Sequence, residues 1–182
     1  MDSDVFSDLS VMKKHIRTEL IKSFDTVFST RFPSFSRCQT DLPNAIWRLY
    51  CKRVSESFTL FVLLQFSKTN DTFTLEIAFA DSECFPFHLP LHSAEELAAF
   101  SEVSQRNTVN IRFRAGVFLS KQGDYWWPVA IDDLEQWGTS FSPKDTAFEF
   151  VSISDSINRA INVLDGPVRS FLQKIGLSMD AR

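Results

Sequence analysis

Between residues 58 and 79 the chain passes from an almost unbroken apolar run to strict alternation. Phe58-Thr-Leu-Phe-Val-Leu-Leu-Gln-Phe66 is followed, beyond Asn70 and Asp71, by Thr72-Phe-Thr-Leu-Glu-Ile-Ala-Phe79. In the second segment Phe73, Leu75, Ile77 and Phe79 share one face, and Thr72, Thr74 and Glu76 share the other. A side-chain period of two marks strands, so the pair predicts an antiparallel hairpin turned at Asn70-Asp71. Its first strand should be buried on both faces and its second should keep one face in water.

A different period frames this hairpin. Val5, Leu9, Met12, Ile16, Leu20, Phe24 and Phe28 recur every three or four residues, which predicts an amphipathic helix over 4–32, stopped by Pro33. A second stripe, Ile153, Ile157, Ile161, Leu164, Val168, Phe171, Leu172 and Ile175, predicts a C-terminal helix. Asp165-Gly166-Pro167 should kink or split it, and Gly176 is placed to cap it.

Shorter elements fill the middle. Residues 34–45 read as a polar connection, 46–53 as a strand and 80–92 as an irregular segment broken by Pro86 and Pro90. Ser93-Ala-Glu-Glu96 has the form of a capping box and opens a short helix over 94–103. Residues 109–119 predict another strand, with Ile111 and Phe113 inward and Arg112 and Arg114 outward. Tyr125-Trp-Trp-Pro-Val129 predicts a fifth, confined by Pro128 to an edge or a strand end. Residues 131–137 predict a turn or two of helix and 139–145 a loop.

The sum is an α+β fold: an antiparallel meander of four to five strands, with the long N- and C-terminal helices packed on one face. Its other face is expected to be free, as a docking surface. At 182 residues, 44% of them hydrophobic and 23% charged, the chain suits one domain spanning 1–182. Phenylalanine outnumbers tyrosine 19 to 2, so the core is built from rings without a polar handle.

Charge and cysteine usage narrow the class of partner. A net charge of −4 disfavours a general phosphate-binding surface and favours a basic protein partner, with no nucleic acid expected. The longest purely apolar stretch, 60–64, is far short of a membrane span, and the acidic N-terminus does not have the order of a secretion signal. Cys38, Cys51 and Cys84 are odd in number and form no Cys-x-x-Cys, a usage that fits a reducing compartment better than a disulfide framework. The expected compartment is the cytoplasm.

Candidate chemistry is sparse. Cys84, His88 and His92 have metal-ligand residue types, but Pro86 and Pro90 prevent a helix from aligning them, so they read as surface-loop residues and no metal or cofactor is expected. There is no Gly-x-Ser-x-Gly elbow, and five glycines at 116, 123, 138, 166 and 176 build no phosphate cradle. The adjacent carboxylates Glu95-Glu96 and Asp132-Asp133 suit helix starts. Trp47, Arg48, Tyr50, Lys52 and Arg53 form an aromatic and basic mixture suited to RNA stacking, against the acidic total.

The candidate binding set is Arg112, Arg114, Asp124, Tyr125, Trp126 and Trp127. Arginines two apart share a sheet face, and a turn brings three aromatics near them, the composition of a stable corner or a protein-binding patch. Within it, Trp127 is expected in the core and Arg112 on Asp124 or Glu76.

The chain resembles an uncharacterised family of bacterial domains of unknown function. The resemblance rests on Phe32-Pro33 after a long helix, on Leu64-Gln65-Phe66-Ser67-Lys68, on Ile111-Arg112-Phe113-Arg114 with Gly116, and on Asp124-Tyr125-Trp126-Trp127. Some members lie among toxin–immunity systems, which implies a protein that binds and neutralises another. The functional expectation is therefore a non-enzymatic bacterial protein-binding domain of the immunity-inhibitor kind. The alternative is a small anionic ligand- or substrate-binding domain using Arg112, Arg114 and Asp124.

Overall fold

The computed structural model describes residues 3–38, 47–67, 72–102, 110–119, 125–128 and 152–180. Helix α1 (Ser3–Arg31) leads into β1 (Ser36–Cys38), β2 (Arg48–Arg53), β3 (Thr59–Phe66) and β4 (Thr72–Ala80). Helix α2 (Ala94–Glu102) precedes β5 (Ile111–Arg114), a 3-10 turn (Ala115–Phe118) and the two-residue β6 (Trp127–Pro128). Helix α3 (Ile153–Val163), a π turn (Leu164–Val168) and helix α4 (Arg169–Lys174) complete the order. The expected hairpin turn at Asn70-Asp71 and the elements expected over 131–145 lie outside the described residues.

The sheet runs β1-β2-β3-β4-β5, each neighbour antiparallel, as a meander should. β5 pairs with residues 76–79 of β4, and β6 pairs with Thr72 and Phe73. Alternation then sorts the side chains. Leu60, Val62, Leu64, Leu75, Ile77, Ile111 and Phe113 join α1 and the C-terminal helices in the main core. Within it Phe28 packs on Phe24 (5.5 Å), Tyr50 (4.2 Å) and Phe35 (5.5 Å), which fixes α1 over β2 and the chain leading into β1.

Local signals set the helix ends. The Phe32 N–H closes the last bond of α1, 2.8 Å from the Phe28 carbonyl, and Pro33 has no N–H to continue it. In α2 the Ser93 N–H donates to Glu96 Oε2 (2.7 Å) and the Glu96 N–H to Ser93 Oγ (3.3 Å), the reciprocal pair of a capping box. Gly166 and Pro167 fall in the π turn, which divides the C-terminal helical stretch into α3 and α4, the split expected from Asp165-Gly166-Pro167. Gly176 adopts φ 84°, and Leu177 N–H reaches the Leu172 carbonyl at 2.8 Å, a Schellman ending. The tail is tied back by Ser34 Oγ to the Met179 carbonyl (2.8 Å) and Lys52 Nζ to the Ser178 carbonyl (3.0 Å).

Four expectations are corrected. The connection at 34–45 contains a strand, β1, too short and too polar to show a period. Pairing Ser36 with Cys51 sets Cys38 diagonally across from it, and the two are disulfide-bonded with Cα atoms 6.1 Å apart. Cysteine parity concealed this pair because the strand that aligns it was not legible. The strand expected to reach Leu119 ends at Arg114, where the chain turns into 3-10 geometry.

The fourth correction concerns the free sheet face. Phe61, Leu63, Thr74 and Ala78 are fully buried there, and Glu76 is only 1% exposed, so β4 has no wet side. The segment after β4 folds back over the sheet: Phe85 stands edge-on to Phe61 (5.9 Å) and joins Leu49, Leu63 and Ala78 in a second, smaller core. A row of apolar side chains on that face leaves this covering favourable.

Candidate functional site

Successive residues of an extended chain point to opposite faces, and that divides the candidate set. Trp127 stacks on Phe73 in the main core (5.7 Å between ring centroids), with Tyr125 edge-on to it at 5.4 Å. Trp126 faces the other way, with the Arg114 guanidinium 5.1 Å from its ring centroid. Arg112, Arg114 and Trp126 therefore meet on the second face, whereas Tyr125 and Trp127 are turned from it. Asp124 lies outside the described residues.

Both arginines converge on Glu76, next to them on β4. Arg112 donates from Nε (2.9 Å) and Nη2 (2.7 Å) to Oε2, and Arg114 Nε lies 3.5 Å from Oε1. A carboxylate so deeply buried needs this company, since an isolated buried charge is costly. Nη1 of Arg112 is engaged as well, donating to the carbonyls of Phe87 (2.8 Å) and Leu89 (3.1 Å). Its guanidinium lies 5.6 Å from the Phe85 ring and 5.4 Å from the Phe87 ring. Arg112 is thus a clamp that fastens the covering segment to the sheet.

The same segment is held at its far end. The His92 N–H donates to the Arg112 carbonyl (2.8 Å), and the His92 ring stands edge-on to Phe100 at 5.1 Å. His88 and Cys84 are exposed. Among the described residues no group of three or more His, Cys, Asp or Glu is placed to hold a metal ion. No helix among them is long and apolar enough to cross a membrane.

No protein-family model, no curated protein and no solved structure matches the chain. Function has to be read from its own geometry.

The aromatic and basic strand weighed for RNA is also divided by alternation. Tyr50 lies in the main core and donates from its hydroxyl to Asp25 Oδ1, while Arg48 Nε is 3.8 Å from Asp25 Oδ2. Lys52 is bound to the tail, and Arg53 Nε donates to the Ser55 carbonyl (3.1 Å).

What sequence reasoning missed is the outer surface of the covering segment. Phe87 is 38% exposed and Leu91 40%, and Phe87 leans on Trp47 with ring centroids 5.8 Å apart. Residues 81–102 contain Asp81, Glu83, Glu95, Glu96 and Glu102 but no lysine or arginine. Phe85-Pro-Phe-His-Leu-Pro-Leu91 carries apolar residues at every second position through two prolines, but only the tertiary structure buries the ring of Phe85 and leaves that of Phe87 exposed.

Proposed function

We infer that the chain is a non-enzymatic bacterial protein-binding domain that acts in the cytoplasm and engages a basic partner through residues 81–102. The observation that supports this reading is the pair Phe87 and Leu91, held outward on a backbone that Arg112 fixes through the Phe87 and Leu89 carbonyls. A surface ordered before binding loses less conformational entropy on association, and aromatic anchors supply much of the affinity at such surfaces. The carboxylates of a segment that itself contains no lysine or arginine favour a cationic partner and repel an acidic one. Inhibition of that partner, in the manner of an immunity protein, is the finer form of the reading.

The test is affinity capture from the native bacterial cytoplasm with the wild-type chain and a Phe87→Ser/Leu91→Ser variant of unchanged melting temperature. A stoichiometric basic protein retained by the wild type, lost by the variant and weakened by added salt is the expected result. Equal retention by both chains would remove these residues from the account. A melting temperature raised by small anions, with no protein captured, would favour the ligand-binding alternative.

A further inference from the structure

We propose that the Cys38–Cys51 disulfide is a redox-operated latch on β1, independent of the binding surface inferred above. Among the described residues β1 is three residues long and is the terminal strand of the sheet order. Its two ends are secured by different means. At the start, Phe35 is buried against Phe28 and Phe32, with ring centroids 5.5 and 6.3 Å away, and Ser34 is bonded to the tail. At the far end the attachment is covalent, Cys38 reaching diagonally to Cys51 while Ser36 and Arg37 are exposed.

Cys51 itself is held independently of that bond. It sits in the middle of β2, directly opposite Phe61, and Phe61 packs on Phe85 in the second core. Breaking the disulfide therefore leaves Cys51 in place and leaves Cys38 to its ladder pairing with Leu49 and its packing on the second core. Both residues are half-buried rather than enclosed; exposed disulfides are the labile ones, and in the cytoplasm inferred above a disulfide is more often a switch than a staple.

The chemistry balances with a dithiol as the electron donor. One thiolate of the reductant attacks one sulfur, forming a mixed disulfide and releasing the other cysteine as a thiolate, which takes up a proton. The second thiol of the reductant then displaces the remaining cysteine and closes a cyclic disulfide. Two electrons pass to the protein, and Cys38 and Cys51 end as thiols. A three-residue edge ladder must then hold β1 without a cross-link, and its outer end opens while β2, β3 and β4 stay paired.

Alkylation with non-reducing peptide mapping, joined to hydrogen exchange on the intact chain, tests this. Before reduction Cys84 alone should alkylate and Cys38 should be found linked to Cys51. With dithiothreitol all three cysteines should alkylate, and exchange at 36–38 should rise about tenfold or more while β3 and β4 stay protected. A Cys38→Ser/Cys51→Ser variant should exchange like the reduced chain with no further response to dithiothreitol, and Cys84→Ser should behave as wild type. A different linkage, resistance of the native bond to dithiothreitol, or unchanged exchange at 36–38 would each overturn the latch. Loss of protection in β3 and β4 together with β1 would also overturn it, because the bond would then be a staple for the whole fold.

Discussion

Arg112 and Glu76 sit on neighbouring strands and share two hydrogen bonds on one carboxylate oxygen, Nε at 2.9 Å and Nη2 at 2.7 Å. Arg114 serves the other oxygen at 3.5 Å. This buried pair also governs the surface, because the remaining arm of Arg112 carries the Phe87 and Leu89 carbonyls. A charge within the sheet thus becomes the post to which an exposed segment is fastened.

Breaking that pair should be costly in a particular way. Arg112→Met leaves Glu76 with the longer Arg114 contact alone and frees two carbonyls, so urea denaturation should show a loss of about 3–5 kcal/mol. Glu76→Gln with Arg112 intact should lose less, because the amide oxygen still accepts a hydrogen bond. Amide exchange in residues 85–91 should rise in the methionine variant under conditions where β3 remains protected.

Gly116 marks a close approach of backbone to backbone. A Cβ there would stand 2.6 Å from Tyr125 Cβ and 2.9 Å from Tyr125 N and O. Gly116→Ala should therefore push the 125–128 segment off Phe73 and Thr74, whose hydroxyl donates to the Tyr125 carbonyl at 3.3 Å. The expected loss is about 1–3 kcal/mol, with a changed near-ultraviolet tryptophan signal and unchanged helix content.

Tyr50 should govern the alkaline limit of stability. Burial, then its hydrogen bond to Asp25 and the charge of Asp25, raise its ionisation far above the ordinary 10.0. A group raised in the folded state contributes stability that is complete below its unfolded value and is lost as pH rises beyond it. Wild-type stability should hence fall above about pH 10, with Tyr50 phenolate absorbance appearing only with unfolding. Tyr50→Phe should lose about 1–3 kcal/mol at neutral pH and show a shallower alkaline decline.

Glu96 should act at the opposite limit. Its bonds with the Ser93 backbone and then the Ser93 hydroxyl lower its carboxyl below the ordinary 4.5. A lowered carboxyl stabilises the fold above its unfolded value, and this contribution disappears as pH falls through the lowered one. Amide protection in the first turn of α2 should accordingly decline in acid for the wild type. Glu96→Gln, which keeps an acceptor but carries no charge, should start lower and vary less with pH.

Sequence alone determined the features that depend on near neighbours. The period-two alternation at 72–79 fixed a strand, the three- and four-residue spacing from Ile16 to Phe28 fixed a helix face, and Ser93 with Glu96 fixed a helix start. Each follows from backbone geometry and from groups within one turn or one strand. The pairing of Arg112 with Glu76 was within reach for the same reason, as both stand out of alternating apolar strands.

Tertiary structure alone decided what covers what. Nothing local distinguishes Phe85, buried against Phe61, from Phe87, left 38% exposed, because the choice depends on how a proline-broken segment lies over a distant sheet. Nor does spacing distinguish Cys51, bonded to Cys38, from Cys84, which is free. That pairing depends on the register of a strand too short to declare itself. Local order is written in periodicity, whereas contact between remote segments is settled only when the whole apolar surface is buried at once.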